Sequence, residues 1–461
     1  MASIALDRKP AATPAIDRPP LSALAHIPGS DGWPLIGNTL RLLADPKGAV
    51  ERAATKYGPV YRSRAFGIRS VSLLGPEANE FVLFDQAKVF SSTHGWETVL
   101  GRLFPRGLML LDFDEHRLHR KALSVAFKTG PMKSYLDGLN RGIAAGVAGW
   151  IRTSPDLRFY PAVKQLTLDL AAVSFLGDVI GPDVEAIKRA FIDMIAAAVS
   201  VVRRPVPGTQ MARGVKGRQF MIEYFGRQIA ARRDSDGQDI FTQLCKTTTE
   251  DGALLSPQDI VDHMSFLMMA AHDTLTSSFS SFVYFLTVDR SWQQKLREEA
   301  LALGLARGEP LPYERLDELP LTEMAFKESL RLMPPVPSIP RCAVRDTEFA
   351  GFHIPRGTRV NVNPLYTHRI PDVWPEPDTF DPLRFTDAAT RARHKFAFVP
   401  YGGGAHMCLG LHFASMQAKC FAYHLLTNTD VSAAPNYRPD WKLWPIPQPR
   451  DGLHVKLTQL P

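Results

Sequence analysis

The run Phe398-Val399-Pro400-Tyr401-Gly402-Gly403-Gly404-Ala405-His406-Met407-Cys408-Leu409-Gly410 sets three consecutive glycines shortly before a cysteine. Glycines permit tight turns and let backbone approach a bulky planar group, and Gly410 lets a following helix pack closely. A helix starting just after Cys408 turns its positive end toward the sulfur, which favours a thiolate. On its own such a loop could also cradle phosphate or carry a nucleophile. It lacks the Lys-Ser/Thr ending of a phosphate loop, which weakens that alternative.

The rest of the chain is that of an ordinary globular protein. It has 461 residues, 45% of them hydrophobic and 22% charged, enough to bury a large core and inconsistent with disorder. Residues 1–25 mix Pro, Ala and charges without an apolar segment long enough for a signal peptide or anchor helix, so they read as a flexible tail. A cytoplasmic protein with no membrane anchor is expected. Four cysteines, Cys245, Cys342, Cys408 and Cys420, form no CxxC pair and no zinc-like spacing, so each is by default a buried thiol. The net charge of +7 comes without a basic run interleaved with aromatics. That argues for an acidic protein partner and against nucleic acid.

Strand-like residues from Val60 to Leu74, broken at Gly67, predict a hairpin, and a second strand-rich patch lies at Trp441–Trp444 and Leu453–Leu457. Long segments between them carry helical periodicity, so the chain is mainly α. One helix is sharply marked: Ser256 supplies an N-cap hydroxyl, Pro257 the first helical position and Asp259 a carboxylate at N3. The pattern then runs without Gly or Pro to about Val288, a helix on the order of 45 Å long. Its middle, Phe266 to Ala271, is apolar all round and therefore interior. His272, Asp273 and Thr274 follow at once, and polar groups there must either bond locally or serve a function.

The glycine-cysteine loop resembles the haem-binding loop of the cytochrome P450 family, Phe-x-x-Gly-x-x-x-Cys-x-Gly. Gly404 and Gly410 match its glycines, Cys408 its axial ligand, and Tyr401 stands where the family has Phe. Glu328-Ser329-Leu330-Arg331 is similar to the family's Glu-x-x-Arg, and Pro382-Leu383-Arg384-Phe385 to its Pro-x-Arg-Phe. Three groups of alternating sign can satisfy one another where one could not be buried alone, so Glu328, Arg331 and Arg384 are expected to support the haem loop structurally. Ala270-Ala271-His272-Asp273-Thr274 resembles the oxygen-activation motif. Asp273 and Thr274 are its acid and alcohol, the catalytic pair that would organise water to deliver protons as O2 is split. Ala271 and Leu275 replace a commoner Gly and Thr, which implies a tighter groove.

The resemblance implies a triangular helical domain with a small β-rich lobe, residues 26–461 forming one haem-thiolate monooxygenase domain around heme b (iron protoporphyrin IX). Cofactor contacts fall to His116, Arg120, Arg341, Tyr401, Gly402, His406, Cys408 and Gly410, with Cys408 on the metal. His116, Arg120, Arg341 and His406 are the candidates for the propionates, whereas Arg117, His119 and Lys121 read as a solvated helix face. The substrate pocket would draw on Phe266, Met269, Ala270, Val336, Ile339 and Ile446, a lining suited to a terpenoid, steroid or fatty-acid-like molecule. The implied reaction is insertion of one oxygen atom from O2. Electrons would come from a ferredoxin or similar donor with its reductase, docking near Arg391, Arg393 and Lys395. A peroxygenase, isomerase or ligand-binding haem protein of the same fold is the alternative, and a haem-free helical protein the plainest one.

Overall fold

The computed structural model describes residues 15–153, 156–177, 182–200, 202–249 and 252–461, the side chains of 182–184 excepted. Residues 1–14 of the expected tail lie outside the described residues. The rest of that segment is not free: Leu21–Leu24 form a 3-10 turn, and Leu24 is buried among Ile27, Val60 and Ile354. The packed domain therefore begins ahead of residue 26.

Helices dominate. Those that place the site are α1 (Thr39–Ala44), α2 (Phe113–Leu123), α3 (Thr129–Thr153), α4 (Phe159–Leu176), α5 (Pro182–Ala198), α6 (Gln210–Arg233), α7 (Pro257–Val288), α8 (Pro320–Leu332) and α9 (Leu411–Asn428). The bounds of α7 follow from its local chemistry. Ser256 Oγ accepts from the Asp259 amide at 3.1 Å, and Pro257 opens the helix. Helices α4, α6 and α8 pack around α7, so its apolar middle is interior for a tertiary reason.

The β lobe is a six-stranded sheet of β1 (Gly29–Ser30), β2 (Val60–Ala65), β3 (Ile68–Leu73), β4 (Phe90–Ser91), β5 (Ile339–Ala343) and β6 (Arg359–Val362). Its order is β1-β2-β3-β6-β5-β4. The expected hairpin is present as β2–β3, paired from Val60↔Leu73 to Ala65↔Ile68. Phe66 and Gly67 turn it with both φ positive, the twist a two-residue hairpin favours. Its hydrophobic core, including Ile27, Val71, Leu73, Ile339 and Val360, is separate from the helical core. The C-terminal patch forms a small hairpin of Trp441–Lys442 with Gln448–Pro449, and a strand, His454–Gln459, that pairs with Thr429–Ser432.

Candidate active site

The Cys408 loop is folded by short-range bonds and by contact with Leu83 of the β lobe. Gly402 bears no left-handed penalty at φ 71, and its amide donates to the Val399 carbonyl at 3.0 Å. Gly404 has φ 60, and a Cβ there would lie 2.0 Å from the Leu83 carbonyl oxygen, so a side chain is excluded twice over. The Cys408 amide then donates to the Tyr401 carbonyl at 2.9 Å and closes the loop. Tyr401 itself is half-buried against the helical core, where burial pushes its phenol well above the ordinary value.

Cys245, Cys342 and Cys420 are buried, as the default reading has it, and Cys408 alone of the four is exposed. Burial nevertheless raises the Cys408 thiol, with the Gly410 amide and the Arg120 charge pulling the other way. The expected thiolate does not arise from the helix end alone; a metal ion on the sulfur would supply the missing charge.

Basic side chains converge beside this sulfur from three elements. His116 and Arg120 come from α2, Arg341 from β5 and His406 from the loop; Arg341 is buried, and its guanidinium is pushed down to about 10 by burial. The His116 and His406 rings stand 3.9 Å apart. Burial, followed by the Arg120 charge, pushes His116 down to about 4, and its buried Nε2 has no hydrogen-bond partner. Asp112 lies 4.0 Å from His406 Nε2, but its carboxylate already accepts from Ser91 Oγ at 2.5 Å and the Ser92 amide at 2.7 Å. Two guanidiniums and two imidazoles against one committed carboxylate fit a group carrying two acidic arms and an iron for sulfur. Haem, with its two propionates, meets that description, and these residues would hold it.

Beneath the loop, Arg331 forks onto Glu328 with two hydrogen bonds of 2.7 Å, both residues fully buried. Burial raises the Glu328 carboxyl despite the Arg331 charge. Arg384 Nε approaches Glu328 at 3.4 Å, completing the three-membered cluster. Arg331 also donates to the carbonyls of His368 at 2.8 Å and Pro377 at 2.7 Å. His368 Nε2 in turn accepts from the Val399 amide at 3.0 Å, so the buried charges reach the loop through His368.

Helix α7 is buried continuously from Ile260 to Met268, then opens at Met269, Ala270, Ala271, Asp273 and Thr274. Met269 with Asp273, and Ala270 with Thr274, are i, i+4 pairs that share one side of the helix. Thr274 Oγ1 donates to the Ala270 carbonyl at 2.7 Å, so the local bonding considered from sequence does occur and leaves the hydroxyl lone pairs available. Asp273 Oδ1 lies 3.3 Å from Lys164 Nζ on α4 and 3.2 Å from His272 Nδ1. Burial works to raise the Asp273 carboxyl, but the adjacent His272 ring and the Lys164 charge outweigh it and hold it below its ordinary value.

Of the pocket residues, Phe266, Met269 and Ala270 pack on the helical core, while Val336 and Ile339 belong to the β lobe. Ile446 sits in the turn between Trp441–Lys442 and Gln448–Pro449, half-buried. Two expectations need correction. His119 is not on a solvated face: it is buried, with Nδ1 2.7 Å from His263 Nε2. Arg393 is unsuited to docking a partner, because its guanidinium lies 4.1 Å over the Trp374 ring and donates to the Arg384 carbonyl at 2.9 Å. Arg391 and Lys395 are exposed. Sequence reasoning missed Asp112, Lys164 and His368, whose roles depend on partners distant in sequence.

The family model for cytochrome P450 matches residues 27–154 and 183–451, a span that includes Cys408, the basic cluster and the open face of α7. The chain belongs to the cytochrome P450 family. It is 37% identical over 445 residues, 95% of its own length and 90% of the relative's, to a Mycobacterium tuberculosis protein provisionally designated cytochrome P450 136. It is 30% identical to Gallus gallus cytochrome P450 26A1, covering 96% of this chain and 92% of that one. The solved structure of retinoic acid bound cyanobacterial CYP120A1 matches with a TM-score of 0.84 and 31% identity, over 94% of this chain and 99% of that one. The P450 is thus a haem-dependent monooxygenase, using O2, a substrate and electrons from redox partners. Among the described residues no helix is long and apolar enough to cross a membrane.

Proposed function

We propose that this P450 binds heme b (iron protoporphyrin IX) through Cys408 and inserts one oxygen atom from O2 into an apolar small molecule of terpenoid, steroid or fatty-acid type. The chain from Leu21 onward acts as one domain in this reading. The observation that carries it is the exposed Cys408 sulfur beside four convergent basic side chains, with the open face of α7 as the second half of the site. When bound, the thiolate-ligated haem supplies O–O cleavage, since the sulfur pushes electron density toward the iron.

The chain's own residues do the rest. The Gly410 amide donates to the Cys408 sulfur, and Arg120, Arg341, His116 and His406 pair with the carboxylates of the cofactor. Thr274 Oγ1, its proton engaged by Ala270, accepts a hydrogen bond from water. Asp273 rests ionised beside Lys164, whose side chain is 38% exposed, so the carboxylate relays protons arriving from solvent and does not store them. Met269 and Ala270 give that face an apolar surface that excludes bulk water and suits a hydrocarbon skeleton. The retinoic acid bound by the matched cyanobacterial protein supports an isoprenoid first. Electrons come from a small acidic ferredoxin with its reductase, docking by charge at Arg391 and Lys395.

The visible spectrum of the dithionite-reduced protein with carbon monoxide tests the reading. A strongly red-shifted Soret band, lost in Cys408→Ser, is expected; a band typical of histidine ligation would overturn the Cys408 assignment. Optical titration with retinoic acid, a steroid and a fatty acid then separates the substrate classes, and a spectrum unmoved by all three would exclude the apolar reading.

A further inference from the structure

Consecutive residues of a helix point about 100° apart, so their side chains do not ordinarily face each other. His272 and Asp273 are an exception. His272 Nδ1 lies 3.2 Å from Asp273 Oδ1, because both side chains have turned toward α4. Lys164 meets each of them there: its backbone carbonyl is 3.2 Å from His272 Nε2, and its ammonium is 3.3 Å from Asp273 Oδ1.

The His272 ring is fixed from several sides. Its side chain is 0% exposed, and α5 sets the Phe191 ring edge-on to it at 5.8 Å. One turn further along, the crossing of α4 and α7 is pinned by the Thr167 and Thr276 hydroxyls, 2.7 Å apart, and Thr276 Oγ1 donates to the His272 carbonyl at 3.0 Å. A carbonyl only accepts, so the contact with Lys164 puts the ring hydrogen on Nε2 and leaves Nδ1 facing Asp273. Nδ1 and Oδ1 are both buried, and neither has a hydrogen-bond partner. Buried polar atoms are normally paired, and two orphans 3.2 Å apart are each other's available partner. A proton on Nδ1 makes that contact attractive, whereas a bare nitrogen lone pair would repel the carboxylate. Since Oδ1 is buried, the 16% exposure of the Asp273 side chain belongs to its other atoms.

We infer that His272 is a positioning residue for proton delivery: its fixed ring holds Asp273 Oδ1 against Lys164 and leaves the rest of the carboxylate turned to the open face of α7. This role rests on Asp273 acting as the proton relay proposed above. Lys164 and Tyr160, both on α4, are the other ionisable groups near the pair among the described residues. Burial, followed by the Asp273 charge, pushes the Tyr160 phenol up, so it stays protonated and does not compete for the relay.

Two substitutions in the full-length holoenzyme test the role. His272→Phe keeps a ring of similar size and removes both nitrogens; His272→Asn restores an N–H donor close to the place of Nδ1. His272→Phe should lower kcat about tenfold, part of what a positioned acid contributes, and move the acid limb of the kcat–pH profile upward. Substrate dissociation, followed optically, should not change, and His272→Asn should recover most of the lost kcat. In urea denaturation, a readout independent of turnover, His272→Phe and Asp273→Asn should be non-additive. His272→Leu takes the place of His272→Phe should the latter not fold. Parent kcat and an unmoved acid limb in His272→Phe, or additive losses of stability, would overturn the inference. So would His272→Asn performing no better than His272→Phe, since the ring would then only fill space. Full activity in Asp273→Asn would remove the relay and this role with it; activity lost in Asp273→Asn but kept in His272→Phe would remove this role alone.

Discussion

Lys164 on α4 and Asp273 on α7, 109 positions apart in sequence, place an ammonium nitrogen 3.3 Å from a carboxylate oxygen on the open face of the longest helix. Burial alone would raise that carboxyl, and the adjacent His272 ring and the Lys164 charge reverse it. Removing Lys164 with Lys164→Met should therefore raise the Asp273 carboxyl and move the acid limb of the kcat–pH profile upward. Substrate dissociation, read optically, should not change. Asp273→Asn should lower kcat by about a hundredfold, the lower end of what a positioned acid contributes. An acid limb that stays put in Lys164→Met would remove the lysine from the proton path.

Thr274 spends its one proton on the Ala270 carbonyl at 2.7 Å, so its value to the reaction lies in the lone pairs of its oxygen. Thr274→Ser keeps that oxygen and should retain most of the product formed per electron pair, whereas Thr274→Ala should divert electrons to peroxide. Product and hydrogen peroxide, quantified together against reductant consumed, give the answer. Undiminished product in Thr274→Ala would favour a role for the helix in binding rather than catalysis.

The Glu328–Arg331 fork is fully buried and held by carbonyls on one side and the Asp381 amide on the other. Replacing one partner leaves a buried charge without compensation, a loss of about 3–5 kcal/mol. Arg331→Met should show that loss in urea denaturation and, because His368 carries the cluster to Val399, should also release haem more readily. Stability near the parent's, with haem retained, would separate the cluster from the loop.

The buried His119–His263 pair predicts the pH dependence of stability. Burial, followed by the neighbouring imidazole, pushes His263 down to about 3, and burial lowers His119 as well. Both depressed imidazoles are neutral in the folded state above the ordinary histidine value of about 6.5. Their contribution to stability is intact above that pH and declines as pH falls from there toward 3. The melting temperature followed across this window should fall less steeply in His263→Gln than in the parent; parallel curves would show that other groups govern acid unfolding.

Features set by neighbours along the chain were legible before the fold was known. The capping chemistry of Ser256, Pro257 and Asp259 marked the start of α7, the alternation around Gly67 marked the β2–β3 hairpin, and the glycine spacing ahead of Cys408 marked the loop. The i, i+3 spacing of Glu328 and Arg331 put them on one helical face, where they pair. Each depends on backbone geometry fixed within a turn or two, which residue order alone specifies.

What lay beyond the sequence were contacts between distant segments. His119 read as solvated from its helix alone, because nothing in α2 announces that α7 brings His263 to 2.7 Å. Arg393 read as a free cation until Trp374 was found 4.1 Å beneath it, and the apolar surface from Trp33 to Phe66 could not be told from an ordinary core. Local periodicity tells which side of a helix is apolar, but the crossing of helices and strands decides which charges meet and which apolar groups stay uncovered. That is why residue order alone determined the family, the glycine-rich Cys408 loop and the long helix of this protein, while only the tertiary structure decided the partner of Asp273, the path from Arg331 to the loop and the exposed face of α1.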